Sequence, residues 1–309
     1  MKAITILFPV FFMMGLGLLS RLRGWISPEQ KQGANAIVFN ILFPILIFNL
    51  MMTVETQASS FVIVGYVFLI FLLAMVVGRA ACAFTGREYQ HFSWLLMTTT
   101  EGGSVALPLY LSIVGSSSNT VLFDIAGSVI CFIVLPILVT RLTSQGASVG
   151  NLIKNIFTNS FVLSVLLGLL LNFTGLGSAL LAGPIGELYT RTVSQATAPI
   201  VGLILFILGY DLTIDRSTVK PILKLMVVRI LFYLLVIGGF FLLFPRVMQD
   251  KIFLMAVLIY FMSPPGFGLF PVIAPVYRRK EDAGFASAFV SLYLCVTLIV
   301  YAGVVILVA

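Results

Sequence analysis

The chain has 309 residues, 60% of them apolar and 9% charged, with a mean hydropathy of +1.14; this excludes a soluble globular domain and a disordered chain. Its apolar runs approach or exceed the roughly 20 residues that a membrane-spanning helix needs, and they far exceed the strands of a barrel. The formal net charge of +7 suggests nucleic acid only until the basic residues are assigned to loops.

Ten helical segments are expected, at about 3–20, 31–52, 60–84, 91–115, 119–140, 156–173, 190–210, 221–244, 251–275 and 283–308. Segment one follows Lys2 as a secretory signal would, but Arg21 and Arg23 come next without a small-residue cleavage site, so it is read as a membrane helix. Segment two carries Asn35 and Asn40, which lie five apart and so point in different directions. Segment four breaks at Thr98-Thr-Thr-Glu-Gly-Gly-Ser104, with Pro108 shortly after, and segment nine breaks at Ser263-Pro-Pro-Gly-Phe-Gly268, with Pro271 shortly after. Glycine and proline at bilayer depth free backbone groups that hydrocarbon cannot solvate, so such backbone belongs inside protein or beside a wet cavity. Two breaks matched across two halves point to the substrate site of a secondary transporter.

Cys82, Cys131 and Cys295 are isolated within predicted helices and are read as packing residues; His91, the sole histidine, is read as an interfacial polar residue. With the N-terminus placed outside, thirteen basic residues fall on cytoplasmic loops and their flanks against four outside, with Arg229 left within a helix. The basic balance therefore encodes orientation rather than a nucleic-acid surface, and both termini are expected to be extracytoplasmic in a multi-pass protein of the cell membrane.

Five segments form a first unit, 1–142, ahead of a polar cytoplasmic linker, 143–155, and five form a second unit, 156–309. An odd number per unit inverts the second in the membrane. Weak internal similarity agrees, pairing Gly15–Ser20 with Leu167–Asn172, Pro44 with Pro199, and Leu107-Pro108-Leu109 with Phe270-Pro271-Val272. The expected fold is an all-α membrane protein of ten transmembrane helices in an inverted five-plus-five repeat.

Glu101 lies about ten residues into segment four, or roughly 15 Å at helical rise, close to the bilayer midplane. An ionisable group there is a functional candidate by default. It can carry a proton, contribute to a sodium site or hold a cationic group of the substrate; the structural alternative is a carboxylate hydrogen-bonded to backbone freed at the break. Gly102, Gly103 and Ser104 permit close approach and a helix restart with unpaired amides, which suit an anion. Pro264, Pro265, Gly266 and Gly268 are expected to act likewise in segment nine. Arg229, eight residues into segment eight, can pair with a carboxylate of the substrate or of Glu101, or snorkel to the interface. Asp124 is a second coupling candidate but is expected to lie shallow, about five residues inside segment five.

The stretch Ser27-Pro-Glu-Gln-Lys-Gln-Gly-Ala-Asn35, followed by Pro44-Ile-Leu-Ile-Phe48, resembles the auxin efflux carrier family. Glu101 seven positions before Pro108, Gly268-Leu-Phe-Pro271 and Phe206-Ile-Leu-Gly209 extend the resemblance. The long cytoplasmic loop of many plant exporters is missing, so the chain is similar to compact bacterial members. The resemblance implies broken fourth and ninth helices crossing near their prolines, as in bile acid symporters and sodium/proton antiporters, with Asn35 facing the site. It also implies a small organic anion, a mono- or dicarboxylate, as substrate, and a homodimer in the lipid bilayer. One departure stands out: the plant exporters carry asparagine at the position of Glu101, and an amide suits a substrate carboxylate better.

The leading expectation is thus a secondary transporter of small organic anions, with no cofactor except a proton or a sodium ion near Glu101 as coupling ion. A sodium/proton antiporter wants two adjacent acids at the crossover, and Glu101 is expected to have no acidic neighbour there. A non-transporting membrane sensor lacks a sizeable output domain. An enzyme lacks a nucleophile, paired-acid or metal constellation, and an ATP-driven pump lacks a phosphate loop.

Overall fold

The computed structural model describes residues 2–54, 58–86, 88–115, 119–143, 160–211, 219–266 and 269–308. Their regular secondary structure is helical, with no strand among the described residues. Most of the 143–155 linker, the start of segment six and Gly268 lie outside them.

In chain order the elements are α1 (Lys2–Leu22), α2 (Pro28–Thr53), α3 (Ala58–Thr85), a 3₁₀ stretch at Ser93–Met97, α4 (Gly102–Val114) and α5 (119–143). Then come α6 (Ser160–Phe173), α7 (Leu176–Ala182), α8 (Gly186–Asp211), α9 (Val219–Leu243), α10 (Lys251–Phe261), α11 (Leu269–Ile273) and α12 (Lys280–Val308). Six helices, spanning most of α1, α2, α3, α8, α9 and α12, are long and apolar enough to cross a membrane among the described residues. Segments four and nine are each split into short pieces, as their glycines and prolines predict. An unforeseen bend of 78° separates α6 from α7. Gly175 makes it, with φ +72°, a conformation that residues with a side chain rarely adopt.

Local chemistry sets the helix starts. Ser27 caps α2 in a reciprocal box: its Oγ accepts the Gln30 N–H at 3.3 Å, and its own N–H donates to Gln30 Oε1 at 2.8 Å. Asp250 caps α10, its Oδ1 accepting the Ile252 N–H at 3.0 Å.

Two helix pairs pack at backbone contact. In α1–α8, a Cβ added at Gly17 would strike the Phe206 carbonyl, and one at Gly209 would strike that of Met14. In α2–α6, a Cβ at Gly168 would sit 2.7 Å from the Phe48 carbonyl oxygen, and Asn172 Nδ2 donates to the carbonyls of Met52 and Val54 at 2.8 Å each. Close packing through small residues is how helices associate where lipid is as apolar as the side chains. Against these pairs lies an aromatic core in which Phe123, Phe240, Phe261, Tyr233 and Tyr260 are fully buried. Its members meet edge-on or tilted, with Phe123 and Tyr260 centroids 5.2 Å apart.

Candidate substrate site at the helix breaks

The two breaks are joined backbone to backbone: the Glu101 N–H donates to the Pro264 carbonyl at 2.7 Å. Pro265 is buried beside it. The carbonyls freed where the first half-segments end have dedicated partners. Arg229 of α9 donates from Nη1 to Leu96 O at 2.7 Å, and from Nη2 to Thr99 O at 2.7 Å and Ser263 O at 3.2 Å. Tyr233 Oη donates to Met97 O at 3.0 Å and Thr297 Oγ1 to Met262 O at 2.6 Å. The guanidinium carbon sits 4.7 Å from the Tyr233 ring centroid and 5.1 Å from that of Tyr293, within cation–π range of both rings.

This corrects both sequence readings of Arg229. It is 0% exposed, so it does not snorkel to the interface, and these hydrogen bonds go to carbonyls rather than to a carboxylate. The physical reason is that broken segments leave carbonyl oxygens with no intrahelical donor. A planar fork of N–H groups satisfies several of them at once.

The restart of segment four at Gly102 also differs from expectation. Its amides were expected to be free for a ligand anion, but the protein supplies its own anions. Glu101 Oε1 accepts the Ser104 N–H at 3.0 Å, acting as the N-cap of the half-helix. Asp124 of α5 takes a hydrogen bond from the Gly102 backbone, and Tyr260 Oη donates to its Oδ1 at 3.2 Å. A Cβ at Gly102 would collide with that carboxylate, at 2.7 Å from Oδ2 and closer still to Oδ1. Glu101 therefore does have an acidic neighbour at the crossover. Depth along segment five did not reveal it, because depth says nothing about which neighbour a residue faces.

Gly103 faces Phe43, whose Cζ would lie 2.9 Å from an added Cβ. Gly266 is looser: an added Cβ would lie 3.5 Å from Glu101 Oε2 and 3.5 Å from Thr99 Oγ1. Three oxygens, Glu101 Oε2, Thr99 Oγ1 and the Thr100 carbonyl, thus face Gly266. Pro108 is buried at the start of the regular part of α4, and Pro271 lies in α11.

A cavity of about 350 Å³ opens beside this crossover, within the usual range for small-molecule sites. It is lined by Lys31, Asn35 and Phe39 of α2, by Glu101 and Ser104 at the break, and by Ile204, Ile207, Leu208 and Asp211 of α8. Asn35, Glu101 and Ser104 are thereby brought together. Gly102, Gly103 and Asp124 border a second, narrower crevice, with Phe43, Ile47 and Leu107. Arg229, Pro264 and Pro265 are buried and are not among its lining residues. Sequence reasoning missed Lys31, which it counted only among the cytoplasmic basic residues, and Asp211, which it did not single out. The spacing of Lys31, Asn35 and Phe39, each four residues on, is the signal that places them on one face.

A search of curated proteins gives no match. The model of a family described as membrane transport protein matches residues 2–151, which include α1 to α5 and the helix-four break. Over residues 2–151, just under half of its length, the chain is thus similar to the membrane transport protein family.

Proposed function

We propose that this protein is a secondary transporter of small organic anions, built as an inverted five-plus-five repeat of ten membrane helices with its substrate bound at the crossing of the fourth and ninth. The observation that carries the reading is the cavity between α2, α8 and the helix-four break, which sets a lysine, an asparagine and two carboxylates among apolar walls. The repeat is supported by the two backbone-close pairs. A two-fold axis in the membrane plane that exchanges the units turns the packing of segments one and seven into that of segments six and two. Those are the pairs α1–α8 and α6–α2 that meet through glycine.

Glu101 is the coupling residue in this reading. The cavity lining has two carboxylates, Glu101 and Asp211, against one ammonium, Lys31, among its described residues. An anion entering beside ionised Glu101 meets like charge; a proton on Glu101 removes it. Substrate and proton then occupy the site together, and rocking of the crossover against the α1–α8 and α2–α6 frame exposes them to the other side. A protonated Glu101 still accepts the Ser104 N–H through one oxygen, so the half-helix start survives the change.

One observation favours a second reading. Asp124 beside Glu101 supplies the paired acids that a sodium/proton antiporter requires. Proteoliposomes loaded to impose a proton gradient or a sodium gradient alone separate the two. Organic-anion transport predicts uptake of a labelled carboxylate driven by the proton gradient in wild type and lost from that gradient in Glu101→Gln. Proton movement driven by sodium with no carboxylate present, and no carboxylate uptake under either gradient, would establish the antiporter instead.

A further inference from the structure

The cavity holds one cation to which the coupling scheme assigns no role. Lys31 Nζ lies 2.8 Å from Asp211 Oδ1 and 3.0 Å from Oδ2, which places both carboxylate oxygens on one ammonium at the start of α2 and the end of α8. The backbone under Lys31 is fixed by the Ser27–Gln30 capping box and by its own N–H on the Ser27 carbonyl at 3.0 Å. The ammonium itself rides on a flexible four-carbon stem.

At the opposite end of the lining the half-helix start offers an anion little, because the Ser104 amide is taken by Glu101 and the Gly102 backbone by Asp124. Among the described lining residues Lys31 is the sole cation. An incoming carboxylate therefore has one strong partner available, and that partner already holds a carboxylate.

We propose that Lys31 is the residue that takes the carboxylate of the substrate, and that Asp211 is a built-in competitor which holds the ammonium in the empty cavity and sets the substrate affinity. The proposal rests on the reading of the site as an organic-anion site. The exchange is physically cheap. The side chains of Lys31 and Asp211 are 21% and 39% exposed, so their ion pair is weak, and Asp211 is the more exposed partner, able to return to water when displaced. Arg229 allows no such exchange, since its partners are carbonyls fixed in the backbone.

The proposal predicts opposite effects from removing the two members of one ion pair. Binding of butyrate, phenylacetate and malate to the purified full-length protein is measured by titration calorimetry, with thermal unfolding of each variant as a control for folding. Lys31→Gln should weaken the probes that wild type binds by about tenfold, the loss of one charge-assisted hydrogen bond. Lys31→Arg should largely restore binding, and Asp211→Asn should tighten it several-fold by freeing the ammonium. If both substitutions weaken binding alike, or neither changes it, the pair is only a structural tie and the proposal fails. If Lys31→Gln does not fold, Asp211→Asn still decides, since weaker or unchanged binding there overturns the competitor role. If wild type binds none of the three probes while sodium alone shifts its unfolding, the organic-anion reading itself falls and takes this proposal with it.

Discussion

Two regions of this protein each place a cation among oxygen acceptors, and they put it to opposite use. At the crossover, Arg229 is fully buried, its fork spent on the carbonyls of Leu96, Thr99 and Ser263 and its guanidinium within cation–π range of Tyr233 and Tyr293. At the cavity, Lys31 is partly exposed and held by one carboxylate on a neighbouring helix. The first cation completes backbone that the membrane cannot solvate; the second meets a partner that another anion can replace. Charge within a membrane protein marks a ligand site only when its partners can be exchanged.

The largest effect expected from this contrast is at Arg229. Arg229→Gln leaves buried carbonyls without their shared donor and should cost about 3–5 kcal/mol of stability, as removal of a buried charged partner does. Arg229→Lys should recover little, because an ammonium cannot reproduce the planar fork. Unfolding midpoints in detergent measure both; a near-native midpoint for Arg229→Lys would mean that charge alone, not geometry, holds the breaks together.

Next comes Gly102→Ala, whose methyl group would overlap the Asp124 carboxylate. Overpacking of this kind costs about 1–3 kcal/mol. Adding Asp124→Ala should restore part of that stability by making room, even though it removes the acid. Without any recovery in the double variant, the contact between α4 and α5 is not the source of the strain.

The placement of these residues also shows what sequence could foresee. The breaks were legible because glycine and proline clustered in the middle of an apolar segment free backbone that hydrocarbon cannot solvate, and Glu101, Ser104 and Asn35 do line one cavity. Arg229 was visible by its depth but not by its function, since the carbonyls it satisfies lie 34, 130 and 133 residues away along the chain. Lys31 was hidden for a different reason: a lysine near a helix end is ordinarily an orientation signal, and only the four-residue spacing to Asn35 and Phe39 ties it to the cavity. Asp124 needed the crossing of α5 and α4 to be known before its neighbour could be named.

The smallest stability effects should fall on the exchangeable region. Lys31→Gln should change stability by about 1 kcal/mol or less, as expected for a partly exposed ion pair, although its effect on anion binding is large. Arg191 and Glu187, paired on the surface of α8 with side chains 78% and 76% exposed, provide the baseline. Glu187→Gln should move neither the unfolding midpoint nor carboxylate binding. A loss of stability for Lys31→Gln as large as that for Arg229→Gln would erase the distinction between the two cations.

The most direct measurement asks whether carboxylates occupy the cavity. With Cys82, Cys131 and Cys295 replaced by alanine, a single cysteine is introduced at Phe39 on the cavity wall or at Ile37, which is 53% exposed on another face of α2. The rate of alkylation is then followed as butyrate, phenylacetate or malate is added. Slower labelling of Phe39→Cys with at least one probe, and an unchanged rate for Ile37→Cys, is the predicted result. Labelling of Phe39→Cys that is indifferent to every probe, in protein that calorimetry shows to bind one of them, would place the substrate elsewhere and contradict the account.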